Sequence, residues 1–287
     1  MVKLTIYHVF VFVAIGYILV ISIFPMLYMV YGTFTNWVLG VKAMPFIGTA
    51  AYVKAVGDYR LYNSLTVTAE ILIICVPSEI VLGIVLAQLM RANIRFKAIF
   101  RTLFLIPLFV APVAVALMGD VLFYQPGGVV NAVLNIIKIP AVPWRTSIVQ
   151  APFTVAICDI WLWTPFCFLI TLAALEGIPR ELTEASVVDG ASSFQIFRSI
   201  NLPMIVSPLI TISMFRVIDT LRMLDIPFVL MGQGGPGIST ETVSVYIYKA
   251  AFRSFTLGYA GALSLIFMLM VIIIASIFLG RMRKYYA

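Results

Sequence analysis

Long apolar runs separated by short polar stretches set the pattern along this chain. Six can be marked, roughly Tyr7–Tyr31, Ser64–Met90, Phe100–Phe123, Val149–Leu175, Ile200–Leu230 and Leu257–Leu279. An α-helix needs about 20 apolar residues to cross a bilayer core of about 30 Å. The pattern therefore predicts an all-α, polytopic membrane protein with six transmembrane helices. It also predicts one domain over residues 1–287, with no room for a separate soluble one. The first run is too long for the core of a cleavable signal, and "YGTFTNW" follows it rather than a small-residue cleavage site. We expect a retained helix. Pro25, Pro77, Pro107, Pro112, Pro165 and Pro208 fall inside the runs, which predicts kinked helices whose freed backbone groups are met by neighbours.

Composition agrees: 62% of the 287 residues are hydrophobic and only 11% charged. The net charge of +7 would suggest nucleic acid in a soluble protein. Here it reflects basic loops beside anionic lipid, and no nucleic-acid partner is expected. Cys75, Cys158 and Cys167 all lie in apolar runs without metal-ligand spacing, and His8 is the only histidine. A disulfide framework, a metal site and histidine-based catalysis are accordingly not expected. The chain carries no Walker-type phosphate loop of its own.

Charge sets an expected orientation. With a cytoplasmic N-terminus, ten of the 19 basic residues lie inside: Lys3, Arg91, Arg95, Lys97, Arg101, Arg180, Arg198, Arg281, Arg283 and Lys284. Seven lie outside: Lys42, Lys54, Arg60, Lys138, Arg145, Lys249 and Arg253. The bias is small in total, but the inner charges crowd against helix ends in short loops, where the positive-inside rule acts. Both termini are expected in the cytoplasm. The loop at about 176–200 would then be cytoplasmic and the Gly/Pro-rich loop at about 231–256 external.

Within the fifth run, "RVIDTLRMLD" sets Arg216, Asp219, Arg222 and Asp225 three residues apart. One charged side chain at the bilayer centre costs about 2.5–3.5 kcal/mol, so these four must face protein or a water-filled cavity. Two readings stand open. In one, an ion-pair ladder of zero net charge holds the helix to its neighbours. In the other, the same groups line a water-filled cavity, joined by Asp159 on the preceding helix. Trp161 and Trp163 suit packing as well as they suit contact with a ligand. Glu70, Glu79 and Asp120 are further intramembrane acids to which the pattern assigns no role.

In the predicted cytoplasmic loop, Pro179 can start a helix on which Leu182, Ala185 and Val188 share a face. Asp189–Gly190 reads as a turn, and a second short helix presents Phe194 and Phe197. On periodicity alone this is an amphipathic connector. Its spacing resembles the "EAA" signature of the permeases of ATP-binding-cassette (ABC) importers. That signature is Glu-Ala-Ala, three residues, Gly, nine residues, then Ile-x-Leu-Pro. Here Glu184, Ala185, Ser186, Gly190, Ile200, Leu202 and Pro203 stand at that spacing, with Ser186 in place of the second Ala. From about Asp159 to the C-terminus, including "GGPGIST" and "YIYKAAFRSFTLGYAGALS", the chain resembles the maltose-F/glycerol-phosphate-A-like branch of the sugar permeases. The first 60 residues match only in general plan.

The resemblance implies a transmembrane subunit of a binding-protein-dependent ABC importer in the cell (inner) membrane, moving a di- or oligosaccharide or related polyol by alternating access. The chain would do no covalent chemistry and hold no cofactor, ATP and Mg being bound by a separate ATPase. Implied partners are a second homologous permease, two copies of that ATPase, an external solute-binding protein and membrane lipid. The loop would be the coupling helix that docks on the ATPase through Glu184, Ala185, Ser186, Asp189, Gly190, Ile200, Leu202 and Pro203. Carried over by position, solute contacts would fall on Asp159, Trp163, Phe166, Arg216, Asp219, Thr220 and Met223. The binding protein would meet Gly234, Gly235 and Pro236. This chain carries charges where maltose-specific members carry amides and Ser, which points away from maltose and toward another uncharged sugar. Two rival classes are weighed against it. An ion- or proton-coupled carrier could use the buried acids but would show related halves. An intramembrane hydrolase lacks a His or metal constellation.

Overall fold

A computed structural model describes residues 6–91, 95–125 and 127–286, with side chains described for 7–91, 95–125 and 127–280. Of the expected inner charges, Lys3 lies outside these residues, as do the side chains of Arg281, Arg283 and Lys284. Five helices are long and apolar enough to cross a membrane: Tyr7–Gly32, Tyr59–Arg91, Gln150–Glu176, Ser193–Leu230 and Leu257–Gly280. We call these the first, second, fourth, fifth and sixth spans. The third is kinked, as its prolines predict, but so sharply that the single run marked over Phe100–Phe123 becomes two helices: Lys97–Phe109 and Pro112–Leu122 meet at 97°. Proline is the cause. Pro107 sits in a tight 3-10 turn, and Val110 and Ala111 before Pro112 are extended (ψ 131° and 139°). A residue preceding proline is pushed out of the α region by the ring Cδ.

Proline also explains two local widenings. The segments Leu19–Ile23 and Phe197–Asn201 are π-type turns, each just ahead of a proline, Pro25 and Pro203. Proline cannot donate to the carbonyl four residues back, so the preceding turn loosens. Pro77, Pro165 and Pro208 instead lie inside continuous helices.

The chain forms two compact units. One comprises Met1–Leu61 with Tyr246–Met270. Here the end of the first span meets the start of the sixth at Gly258 and Gly261, where a Cβ would strike the Thr35 carbonyl and Thr33 Cγ2. Small residues at this spacing let two backbones touch. An antiparallel bridge joins Val38 to Thr256. Asp58 accepts hydrogen bonds from the hydroxyls of Tyr246 and Tyr259 and from the Arg60 backbone N–H. Burial opposes its ionisation, but these donors outweigh it and hold the carboxyl below its ordinary 3.8. Asp58 therefore stabilises the fold at any pH above that value, and the contribution fades as pH falls through the lowered one. We expect Asp58→Asn to lower the thermal midpoint of the detergent-solubilised protein at pH 7. The gap to wild type should narrow as the buffer approaches pH 3; a gap that widens on acidification would contradict this.

The second unit comprises Tyr62–Val245 with Val271–Ala287. Its core joins Val67, Ile71 and Cys75 of the second span to Val115 and Ala116 of the third, Val155, Cys158 and Leu162 of the fourth, and Ile226 and Leu230 of the fifth. A second cluster packs Ala87 and Met90 on Phe168, Leu172, Leu175 and Ile205. At Gly83 the second and fourth spans approach closely: a Cβ there would lie 2.7 Å from that of Cys167.

Candidate functional site

Arg216 is the largest fully buried side chain of the described residues. It projects from the helix Leu202–Leu221 and forks onto Glu79 of the second span, Nε at 2.5 Å and Nη2 at 2.9 Å. Nη2 also reaches Asp159 on the fourth span at 2.8 Å and Thr220 at 3.2 Å, while Nη1 donates to Asp219 at 2.7 Å. The guanidinium lies 4.5 Å from the Trp163 ring centroid, within cation–π range. Three helices are thus tied at one point. Glu79 and Asp159 are as buried as Arg216, whereas the Asp219 side chain is 42% exposed.

This replaces the ladder expected from three-residue spacing. The helix ends at Leu221, with Arg222 as its cap, and Asp225 opens a separate short helix, Asp225–Leu230. The helical register that would stack the four charges is lost between them. Among the described residues only the Arg216–Asp219 pair of that ladder forms; Arg222 and Asp225 are exposed and join no ion pair. Nor do cations and acids alternate one to one, since a single guanidinium faces Glu79, Asp159 and Asp219. Sequence reasoning missed Glu79 as its partner. A lone acid two residues past Pro77 in an apolar span needs a cation at similar depth, and Arg216 could have been matched to it on that ground.

Cys75, Glu79 and Asp159 bring ligand atoms within 4.8 Å of one another. Arg216 already engages both carboxylates, which makes the cluster a guanidinium site in this fold. Asp120 pairs with Arg145 at 2.5 Å, and Arg145 Nε donates to the Leu230 carbonyl. Glu70 is exposed on the second span.

Beside the cluster lies a cavity of 410 Å³, bordered by Asp159, Trp163, Asp219, Arg222, Met223 and Asp225 among others. Four of the seven solute contacts expected from the sequence, Asp159, Trp163, Asp219 and Met223, line it. Arg216 and Thr220 do not line it, but Arg216 bonds two residues that do, Asp159 and Asp219, and also bonds Thr220. Phe166 does not reach it and packs between Trp163 and Phe215.

The expected connector forms as helix Arg180–Val188, with Pro179 at its N-cap. Gly190 (φ +80°) ends it: its N–H bonds the Val187 carbonyl and the Ala191 N–H bonds that of Ser186. These two bonds define a Schellman cap, which places a left-handed residue at Gly190. Ser192 and Gln195 then form a capping box that starts the next helix. Glu184, Ala185 and Asp189 are exposed, as are Leu182, Val187, Val188 and Phe194. Ser186 bonds back to the Leu182 carbonyl. Ile200 and Leu202 are half-buried and Pro203 exposed in the first turns of the fifth span. In the glycine-rich loop, Gly234 is buried against Glu241, while Gly235 and Pro236 are half-buried.

A bundle of apolar spans, a polar cavity among them and an exposed helical connector define the class: a multi-pass membrane transport subunit. Residues 79–284 match the family described as binding-protein-dependent transport system inner membrane component, and the chain belongs to that family. It is 33% identical over 245 residues to the trehalose/maltose transport system permease protein of Thermococcus litoralis, covering 84% of this chain and 81% of that one. It is 30% identical to the lactose transport system permease protein of Rhizobium radiobacter, covering 96% and 94%. In fold it matches a crystal structure of a bacterial ABC transporter involved in the import of the acidic polysaccharide alginate. The TM-score is 0.83 at 21% identity, over 97% of this chain and 95% of that one. The chain is therefore a transport component rather than a catalyst, and the family decides against the ion-coupled carrier.

Proposed function

We propose that the chain is one half of a heterodimeric translocation pathway for a carbohydrate, di- or oligosaccharide or related polyol, with both termini in the cytoplasm. Two copies of an ABC ATPase, holding ATP and Mg, engage the segment from Glu184 to Pro203. Their motion switches the cavity between its two openings. An external binding protein delivers the solute near the loop bearing Gly234, Gly235 and Pro236. The names of the sugar permeases among its relatives support this reading.

The observation that carries it is the cavity at the Arg216 cluster. Its volume suits a small solute. Trp163 offers a ring face to an apolar sugar face, and the carboxylates of Asp159 and Asp219 can accept from hydroxyls. Arg216 is engaged by Glu79, Asp159 and Asp219, so its role is to hold these groups in place. We expect Asp219→Asn to weaken solute-stimulated ATP hydrolysis in the reconstituted complex. The half-maximal solute concentration should rise by roughly tenfold or more, the loss of a hydrogen bond to a charged group. Unstimulated hydrolysis should hold. An unchanged solute response in both Asp219→Asn and Trp163→Ala would remove the cavity from the transport path.

A further inference from the structure

The unit that contains Asp58 holds a second cavity, of 460 Å³, remote in sequence from the Arg216 cluster. Lys54, Arg60 and Lys249 line it, with Ser254 and Thr256. Asp58, the acid on its wall, has its carboxylate covered by the Tyr246 and Tyr259 hydroxyls and the Arg60 N–H. Over those two rings sit two of the cations: Lys54 Nζ is 4.5 Å from the Tyr259 centroid, and the Arg60 guanidinium 5.2 Å from that of Tyr246. The lining thus gathers three basic side chains around an acid whose carboxylate is already capped. It collects three of the seven basic residues that weaken the positive-inside bias.

The location narrows the ligand. Tyr59 and Leu257 open the second and sixth spans, so the cavity lies where two helices enter the membrane. Tyr59 of the lining is exposed, as are Val53 and Val56 on the helix Ala50–Val56 that carries Lys54, so apolar surface lies on the element that supplies a cation to the pocket. Tyrosines with basic side chains at a span end match the physics of the headgroup layer, where rings sit at the interface and cations meet lipid phosphates. We propose that this cavity binds the phosphate of an anionic phospholipid headgroup. The acyl chains lie over Val53 and Val56, and the leaflet follows the orientation proposed above.

The test uses the purified transporter complex, titrated by native mass spectrometry with dioleoyl phosphatidylglycerol and, separately, dioleoyl phosphatidylcholine. Wild type should favour the anionic lipid. The double variant Lys54→Gln/Lys249→Gln should bind it on the order of thirtyfold more weakly, about fivefold for each basic side chain near a membrane surface. Lys54→Arg/Lys249→Arg should stay close to wild type. If the double glutamine variant is not recovered, each single substitution decides the matter at about fivefold. Inorganic phosphate that displaces the lipid would show that the site reads phosphate from either source. Failure to displace it would show that the lipid is required; both results support the site. Equal binding of the two lipids, or equal binding of the anionic lipid by wild type and glutamine variants, overturns it. So does weakened docking of the binding protein with lipid binding unchanged, which would assign the cations to an acidic protein surface.

Discussion

Replacing Arg216 by Leu is expected to cost about 3–5 kcal/mol, because it leaves Glu79 and Asp159 buried without their cation. Native domains carry only about 5–15 kcal/mol in total, so the variant should be recovered in low yield and melt well below wild type. The deficit should be specific. Adding Glu79→Gln and Asp159→Asn to Arg216→Leu removes the stranded charges and should restore much of the loss, a non-additivity expected of groups in one network. Arg216→Lys should fall between, since an ammonium keeps the charge but cannot fork onto Glu79 as the guanidinium does at 2.5 and 2.9 Å. Size-exclusion chromatography of heated, detergent-solubilised complex would compare the three variants with wild type. If Arg216→Leu melts with wild type, or the added neutral amides rescue nothing, the network does not hold the three helices together.

The second large effect should fall on energy coupling. Gly190 holds φ +80° with no atom near its missing Cβ, so a side chain there meets strain but no clash within the chain. A left-handed backbone costs most L-residues about 1–2 kcal/mol. Asn tolerates it, and a β-branched residue does not. We expect Gly190→Asn to keep most solute-stimulated ATP hydrolysis. Gly190→Val should lose about tenfold, the factor that about 1.4 kcal/mol represents, with ATPase co-purification reduced in parallel. Proteoliposomes containing the whole complex and its binding protein provide the assay. Equal loss in both variants would mean that surface shape, rather than the helix end, governs docking.

The spans were legible because their signal is length and apolarity, which hardly depend on neighbours. The connector was legible for a different reason: Pro179 and the Asp189–Gly190 turn are local instructions, each acting within one turn, and the Ser192/Gln195 box, which the sequence reading did not use, is another of the same kind. The site was harder. Asp159, Arg216 and Asp219 were singled out correctly as neighbours, yet the regular ladder failed because the helix stops at Leu221. The Glu79 partner lies 137 residues from Arg216. No local pattern encodes such a contact; it emerges only when three helices pack. The 97° break in the third span is the kink that Pro107 and Pro112 announce; only its size, with extended backbone at Val110 and Ala111 parting the run into two helices, was not legible.

The Gly83 seam has a mechanical consequence. The second and fourth spans meet backbone to backbone at Cys167 and Phe168, and the Glu79–Arg216–Asp159 bonds pin the fifth span to both. Shear between any two of these helices would break charged bonds or drive main chains into each other. Sliding of the three helices past one another is therefore opposed twice at this depth, by charged bonds and by touching main chains.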